Sequence, residues 1–216
     1  MQLNLNKAIP RNERDTIQKI PKQFLLVITF LISFHVINAQ HNYSNKFYKK
    51  GGKIFSLGLE HVSGFNTSLE CYSLRAGYGS MLLKNLTVFS FLDLSTTNGF
   101  QVIGSDENLL KTRQKSFGLG TSFLLRWYLL HSGKIKMFID VGGGILYTFE
   151  RFPYQGTKLN FTARPGVGIA MHFDDNKQII FGINRFHLSN GLGYNHPSNP
   201  AFDGLGLFAS IVIRKK

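Results

Sequence analysis

From residue 53 onward, apolar and polar positions alternate along the chain. The segments 53–63 (KIFSLGLEHVS), 68–80 (SLECYSLRAGYGS), 85–96 (NLTVFSFLDLST) and 115–130 (KSFGLGTSFLLRWYLL) are rich in β-branched, aromatic and Gly residues. So are 135–149 (IKMFIDVGGGILYTF), 159–173 (LNFTARPGVGIAMHF), 178–189 (QIIFGINRFHLS) and 204–214 (GLGLFASIVIR). A period of two is that of a strand whose faces meet different surroundings. The segments exceed the five or six residues usual for a soluble strand, and suit strands that cross a bilayer obliquely in about 9 to 11 residues. Their connections alternate as well: MLLKN, HSGK and DDNK are short, whereas TTNGFQVIGSDENLLKTRQ, ERFPYQGTK and NGLGYNHPSNPAFD are long. Tight turns on the periplasmic side and longer loops outside give that asymmetry. A closed barrel also pairs every backbone group in lipid, which an open sheet cannot do. The pattern predicts an all-β fold, an eight-stranded antiparallel transmembrane β-barrel; the alternative is a soluble secreted barrel of lipocalin type. The ending IVIRKK lacks the terminal aromatic residue usual in bacterial outer-membrane barrels.

Ahead of the alternating region, FLLVITFLISFHVINA (24–39) is an apolar run preceded by Lys19 and Lys22 and closed by Ala39. It is shorter than the roughly 20 apolar residues of a spanning helix and includes His35 and Asn38, so a secretory signal peptide with a long polar n-region is expected over 1–39. Cleavage after Ala39 leaves a mature barrel domain of 40–216 and directs it to the outer membrane. Gln40, not a cysteine, directly follows the run, which excludes a lipoprotein anchor at that point.

Charged residues make up 17% of the chain, below the roughly 25% of soluble domains. The net charge of +13 suits an anionic partner. Lys and Arg are spread through turns and loops rather than clustered on one face with stacking aromatics, which disfavours nucleic acid. Cys71 is the only cysteine, so an intramolecular disulfide is impossible. The seven histidines have no ligand spacing, and neither metal nor cofactor is expected.

The chemistry concentrates in RFHLSN (185–190) and NPAFDG (199–204). In a strand, residues i and i+2 share a face, so the imidazole of His187 and the hydroxyl of Ser189 can meet. Asp203 opens the last strand, antiparallel to the strand of His187, and comes back beside it. A serine needs a base to take its proton, and a carboxylate fixes the tautomer of that base. The amide of Asn190, with a backbone N–H of the Gly191–Leu192 turn, is placed to serve an oxyanion.

Over these two stretches the chain resembles the outer-membrane lipid A 3-O-deacylases (PagL type), also called acyloxyacyl hydrolases, and the likeness extends more weakly to the eight-strand layout. The resemblance implies His187 as base, Ser189 as nucleophile, Asn190 as oxyanion donor and a backbone donor near Leu192. The acidic member of the family is a glutamate in the best-known cases; the matching position here is Asp203. The implied reaction is hydrolysis of the ester-linked 3-hydroxyacyl chain at position 3 of lipid A in the outer leaflet, without a cofactor. Two rivals stand beside it: a non-enzymatic structural or adhesion barrel, and a hydrolase of phospholipid or other acyl esters. Lys111, Arg113, Lys115, Arg151 and Lys158 suit lipid A phosphates or form an ordinary charged rim.

Overall fold

The computed structural model describes residues 47–65, 67–103, 110–132, 134–190 and 201–215. The strands are β1 (Lys53–Gly64), β2 (Glu70–Leu83), β3 (Leu86–Ile103), β4 (Leu110–Ser132) and β5 (Ile135–Phe152). They continue with β6 (Thr157–Ala163), β7 (Gly166–Asp174), β8 (Lys177–Ser189) and β9 (Phe202–Arg214). Every pairing is antiparallel: β1 to β5 pair in chain order, β6 and β7 both pair with β5 and β8, β8 pairs with β9, and β9 pairs with β1. The sheet therefore closes on itself and has no free edge.

Two strands occupy the place of the predicted 159–173. The break falls at Arg164–Pro165, where proline has no N–H to give. The register runs through the break unchanged, from Ala163↔His187 to Gly166↔Asn184 against β8. Arg164 N–H donates to Gly142 O (2.8 Å), and Arg185 N–H donates to Pro165 O (2.9 Å). β6 and β7 are thus one stave in two pieces, and the barrel has eight staves.

A second difference lies between β3 and β4. The stretch 97–114, expected to be loop, is largely paired, from Thr97↔Ser116 out to Ile103↔Leu110. The loss of apolar alternation there marks departure from the apolar belt rather than the end of the strand. Gly99 sits in this extension at φ +138°, and a Cβ on it would meet Ser68 O at 2.0 Å. Only glycine fits that backbone.

Burial inverts the soluble pattern. Phe55, Leu57, Leu59, Leu92, Leu94, Phe123, Trp127, Val141, Ile183 and Leu207 are exposed around the outer wall, while their chain neighbours Ser56, Glu60, Asp93, Ser122, Arg126, Asp140 and Asn184 are buried in the lumen. An apolar wall around a polar interior is how a barrel meets lipid. The lumen is layered. Phe47, Tyr48, Ile54, Phe89, Tyr128 and Phe138 pack towards the end of the short turns, and Val62, Leu69, Leu146, Phe152, Phe186 and Phe202 towards the other. Three guanidinium groups lie inside with three carboxylates. Arg126 makes two bonds to Asp140 (2.8 and 2.7 Å). Arg75 Nε donates to Asp93 (2.8 Å), and Arg164 lies 3.2 Å from Asp93 and 3.3 Å from Glu60. Each arginine also covers a Phe ring, Arg126 on Phe138 (3.9 Å), Arg75 on Phe91 (4.5 Å) and Arg164 on Phe186 (4.9 Å). Pairing of this kind is what makes charge tolerable inside the barrel.

Candidate active site on the outer wall

β8 runs towards the end of the long connections, and its burial alternates: Asn184, Phe186 and Leu188 point inward, whereas Arg185, His187 and Ser189 lie on the outer wall with Phe181 and Ile183. On β9, Asp203 is outward between the buried Phe202 and Gly204. His187 and Asp203 are direct cross-strand partners. That register follows from the inward pairing of Leu188 with Phe202 and Phe186 with Gly204. A slip by one residue would turn Phe186 and Leu188 into lipid and the site into the lumen.

The imidazole Nδ1 lies 3.1 Å from Asp203 Oδ1. A carboxylate can only accept, so Nδ1 donates in this pair, and in the neutral ring the lone pair is then on Nε2. Both groups are about one-third exposed. Ser189 is half-buried on the same face, beside Phe161 of β6, and Ala163 flanks His187. Asn190 follows directly, just past the end of β8. Of the predicted residues, His187 and Asp203 are brought into contact, and Ser189 and Asn190 share their rim. Leu192 lies outside the described residues, as does the predicted signal peptide. Arg113, Lys115, Arg151 and Lys158 are exposed towards the same end of the barrel.

The sequence holds a second arrangement of this kind. His61 and Ser63 are outward on β1, Glu70 opens β2 opposite Ser63, and β1 runs in the same direction as β8. Its geometry is different. His61 Nε2 is 3.9 Å from Glu70 Oε1, and the imidazole stacks on Tyr72 at 4.7 Å, with the phenol donating to Glu70 Oε2 (2.6 Å). Gly64 follows Ser63 where Asn190 follows Ser189, so that position offers no side-chain amide. The next backbone donors are already used, Gly64 N–H on Leu69 O (2.9 Å) and Phe65 N–H on Asp203 O (2.8 Å). Neither Gly64 nor Phe65, the described residues that follow Ser63, has a backbone N–H left for an oxyanion. Assays of His61→Ala and Ser63→Ala are expected to give ester hydrolysis within about twofold of wild type. A loss of about 10²-fold in either would move the centre to β1.

A third polar group is buried at the opposite end, where Tyr48 Oη lies 2.6 Å from His172 Nε2 and 3.2 Å from Gln178 Oε1. It faces the lumen and joins Tyr128 through Gln178 Nε2 (3.2 Å). Among the described residues, no set of three or more His, Cys, Asp or Glu is placed to hold a metal ion.

A closed eight-stave barrel with an apolar outer wall, a polar lumen and an imidazole–carboxylate pair turned towards lipid defines an outer-membrane β-barrel. Residues 85–211, more than half of the chain, match the family model described as lipid A 3-O-deacylase (PagL). The chain belongs to that family, and membership implies ester hydrolysis in the outer membrane. Similar solved structures include the outer membrane enzyme PagL, at 20% identity over 72% of this chain and 97% of that one, with a TM-score of 0.48. They also include OprG from Pseudomonas aeruginosa (12% identity, 77% and 97% covered, TM-score 0.47) and the E. coli outer membrane protein W (14%, 77% and 99%, TM-score 0.46). No curated protein matches the chain.

Proposed function

We propose that this chain is a serine esterase that removes the ester-linked 3-hydroxyacyl chain from position 3 of lipid A in the outer leaflet, with 1–39 acting as a signal peptide that is cut away from the 40–216 barrel. The observation that carries the reading is the 3.1 Å contact between His187 Nδ1 and Asp203 Oδ1 on the lipid-facing wall, two residues from Ser189. His187 Nε2 takes the proton of Ser189 as Oγ attacks the ester carbonyl, and Asp203 stabilises the imidazolium that forms. Asn190 and the Leu192 N–H hold the oxyanion. Collapse breaks the ester bond and returns the proton to the sugar oxygen. Water, activated by the same imidazole, then releases the 3-hydroxy fatty acid and restores Ser189.

An outward site suits a substrate that arrives sideways through the leaflet, since a lumen packed with Phe186, Leu188 and Phe202 offers no acyl chain a way in. The protein purified in detergent, given lipid A and phospholipid in mixed micelles, is expected to release 3-hydroxy fatty acid from lipid A and to leave phospholipid intact. Release from phospholipid alone would make it a phospholipid acyl hydrolase with the same residues.

A further inference from the structure

Arg185 belongs to the outer face of β8 with Phe181 and Ile183, two residues nearer the bilayer centre than His187. An arginine there faces lipid, a position that costs stability in proportion to its depth. Its side chain, two-thirds exposed, rises to the level of the site: Nη2 donates to Asp203 Oδ1 at 3.3 Å. This is the same oxygen that His187 Nδ1 contacts at 3.1 Å. The outward neighbours on the flanking strands are Leu205 on β9, Ser63 on β1 and Ala163 and Phe161 on β6. Among the described residues of these strands, Arg185 is therefore the permanent cation that faces Asp203. A carboxylate held by a guanidinium keeps one orientation, and here the oxygen that Arg185 holds is the one aimed at His187 Nδ1.

We infer that Arg185 is a positioning residue of the esterase site, which holds the Asp203 carboxylate turned towards His187 at the lipid-facing wall. The inference rests on the proposed function. It assigns Arg185 no contact with the substrate; its effect on the reaction runs through Asp203 alone. A residue that acts through another loses its effect when that other is removed.

The test is a double-mutant cycle on the purified full-length barrel with lipid A in micelles, with folding checked for every variant by the heat-dependent shift in electrophoretic mobility. Arg185→Gln is expected to lower kcat by about tenfold and Asp203→Asn by about 10²-fold. Adding Arg185→Gln to Asp203→Asn should cost less than about twofold more. Arg185→Lys, which restores the charge but not the fork, should recover at least about half of the lost activity. A tenfold loss that persists in the Asp203→Asn background would overturn the inference and make Arg185 a substrate contact. Equal activity of Arg185→Gln and wild type, or equal losses in Arg185→Gln and Arg185→Lys, would overturn it as well. Absence of activity in the wild-type protein would instead defeat the proposed function itself, so the two failures are distinct.

Discussion

Ser189→Ala is expected to lower deacylation by about 10³-fold or more while the barrel still folds, because the hydroxyl carries the attack and little of the packing. Ser189 ends β8 on the outer wall, half-buried, and the residues that seal that end of the lumen are its neighbours Phe186 and Leu188. Removing one oxygen there opens no core cavity. His187→Asn should cost as much as Ser189→Ala, since nucleophile and base act as a unit. Asp203→Ala should cost less than either, because nucleophile and base stay in place. The measurement is release of 3-hydroxy fatty acid by each purified variant, beside its heat-dependent mobility shift as a record of folding. Near wild-type release by Ser189→Ala would remove the nucleophile from this stretch.

The largest effect on stability is expected from Arg164→Met. Arg164 fills the break between β6 and β7 and lies between two buried carboxylates, Glu60 of β1 at 3.3 Å and Asp93 of β3 at 3.2 Å. It thus ties together staves from opposite parts of the ring. Asp93 keeps Arg75 Nε and Ser122 Oγ at 2.8 Å each, but among the described residues Glu60 would keep only the amide of Asn184 as a hydrogen-bond partner. Removing one partner of a buried ion pair typically costs about 3–5 kcal/mol, because the remaining charge is left uncompensated. The loss should appear as a lower urea midpoint of unfolding in lipid vesicles. Glu60→Gln added to Arg164→Met should regain part of it by removing the stranded charge. An unchanged midpoint in Arg164→Met would show that the arginine is not what holds these staves together.

How far the sequence speaks follows from which features are local. The period of two is local, so the inward or outward sense of His187, Ser189 and Asp203 can be read from the chain. It follows from the alternation of Phe186 and Leu188 with the polar positions between them. The meeting of His187 with Asp203 is also nearly local, since an antiparallel neighbour must return along the same ladder. Strand ends are less legible. Beyond the apolar belt, the residues of TTNGFQVI and LKTRQ no longer have two unlike faces, yet they still pair. The eight-stave count could be read, but not the interruption at Arg164–Pro165, because register passes through it without a shift. Partners inside the lumen are the least legible: Arg164 with Glu60 and Asn184 with Glu60 depend on closure of the ring, which no window of sequence encodes. Arg185 lies within RFHLSN, but its role is not legible there, since it depends on the side chain rising to Asp203. The His61–Ser63–Glu70 arrangement was legible as EHVSG, with the same spacing as HLS. What separates the two histidine–serine pairs in the sequence is the residue after each serine, Asn190 against Gly64.

The central claim is that the outer-wall residues of β8 and β9 cleave one ester of lipid A, and mass analysis of lipid A tests it most directly. The full chain and its Ser189→Ala variant are each expressed in a host that makes hexa-acylated lipid A. Wild type should yield a species lighter by one 3-hydroxyacyl chain, together with the free 3-hydroxy fatty acid, and Ser189→Ala should leave lipid A unaltered. Lipid A of unchanged mass with both proteins in the outer membrane, or the loss of a secondary acyl chain instead, would contradict the account.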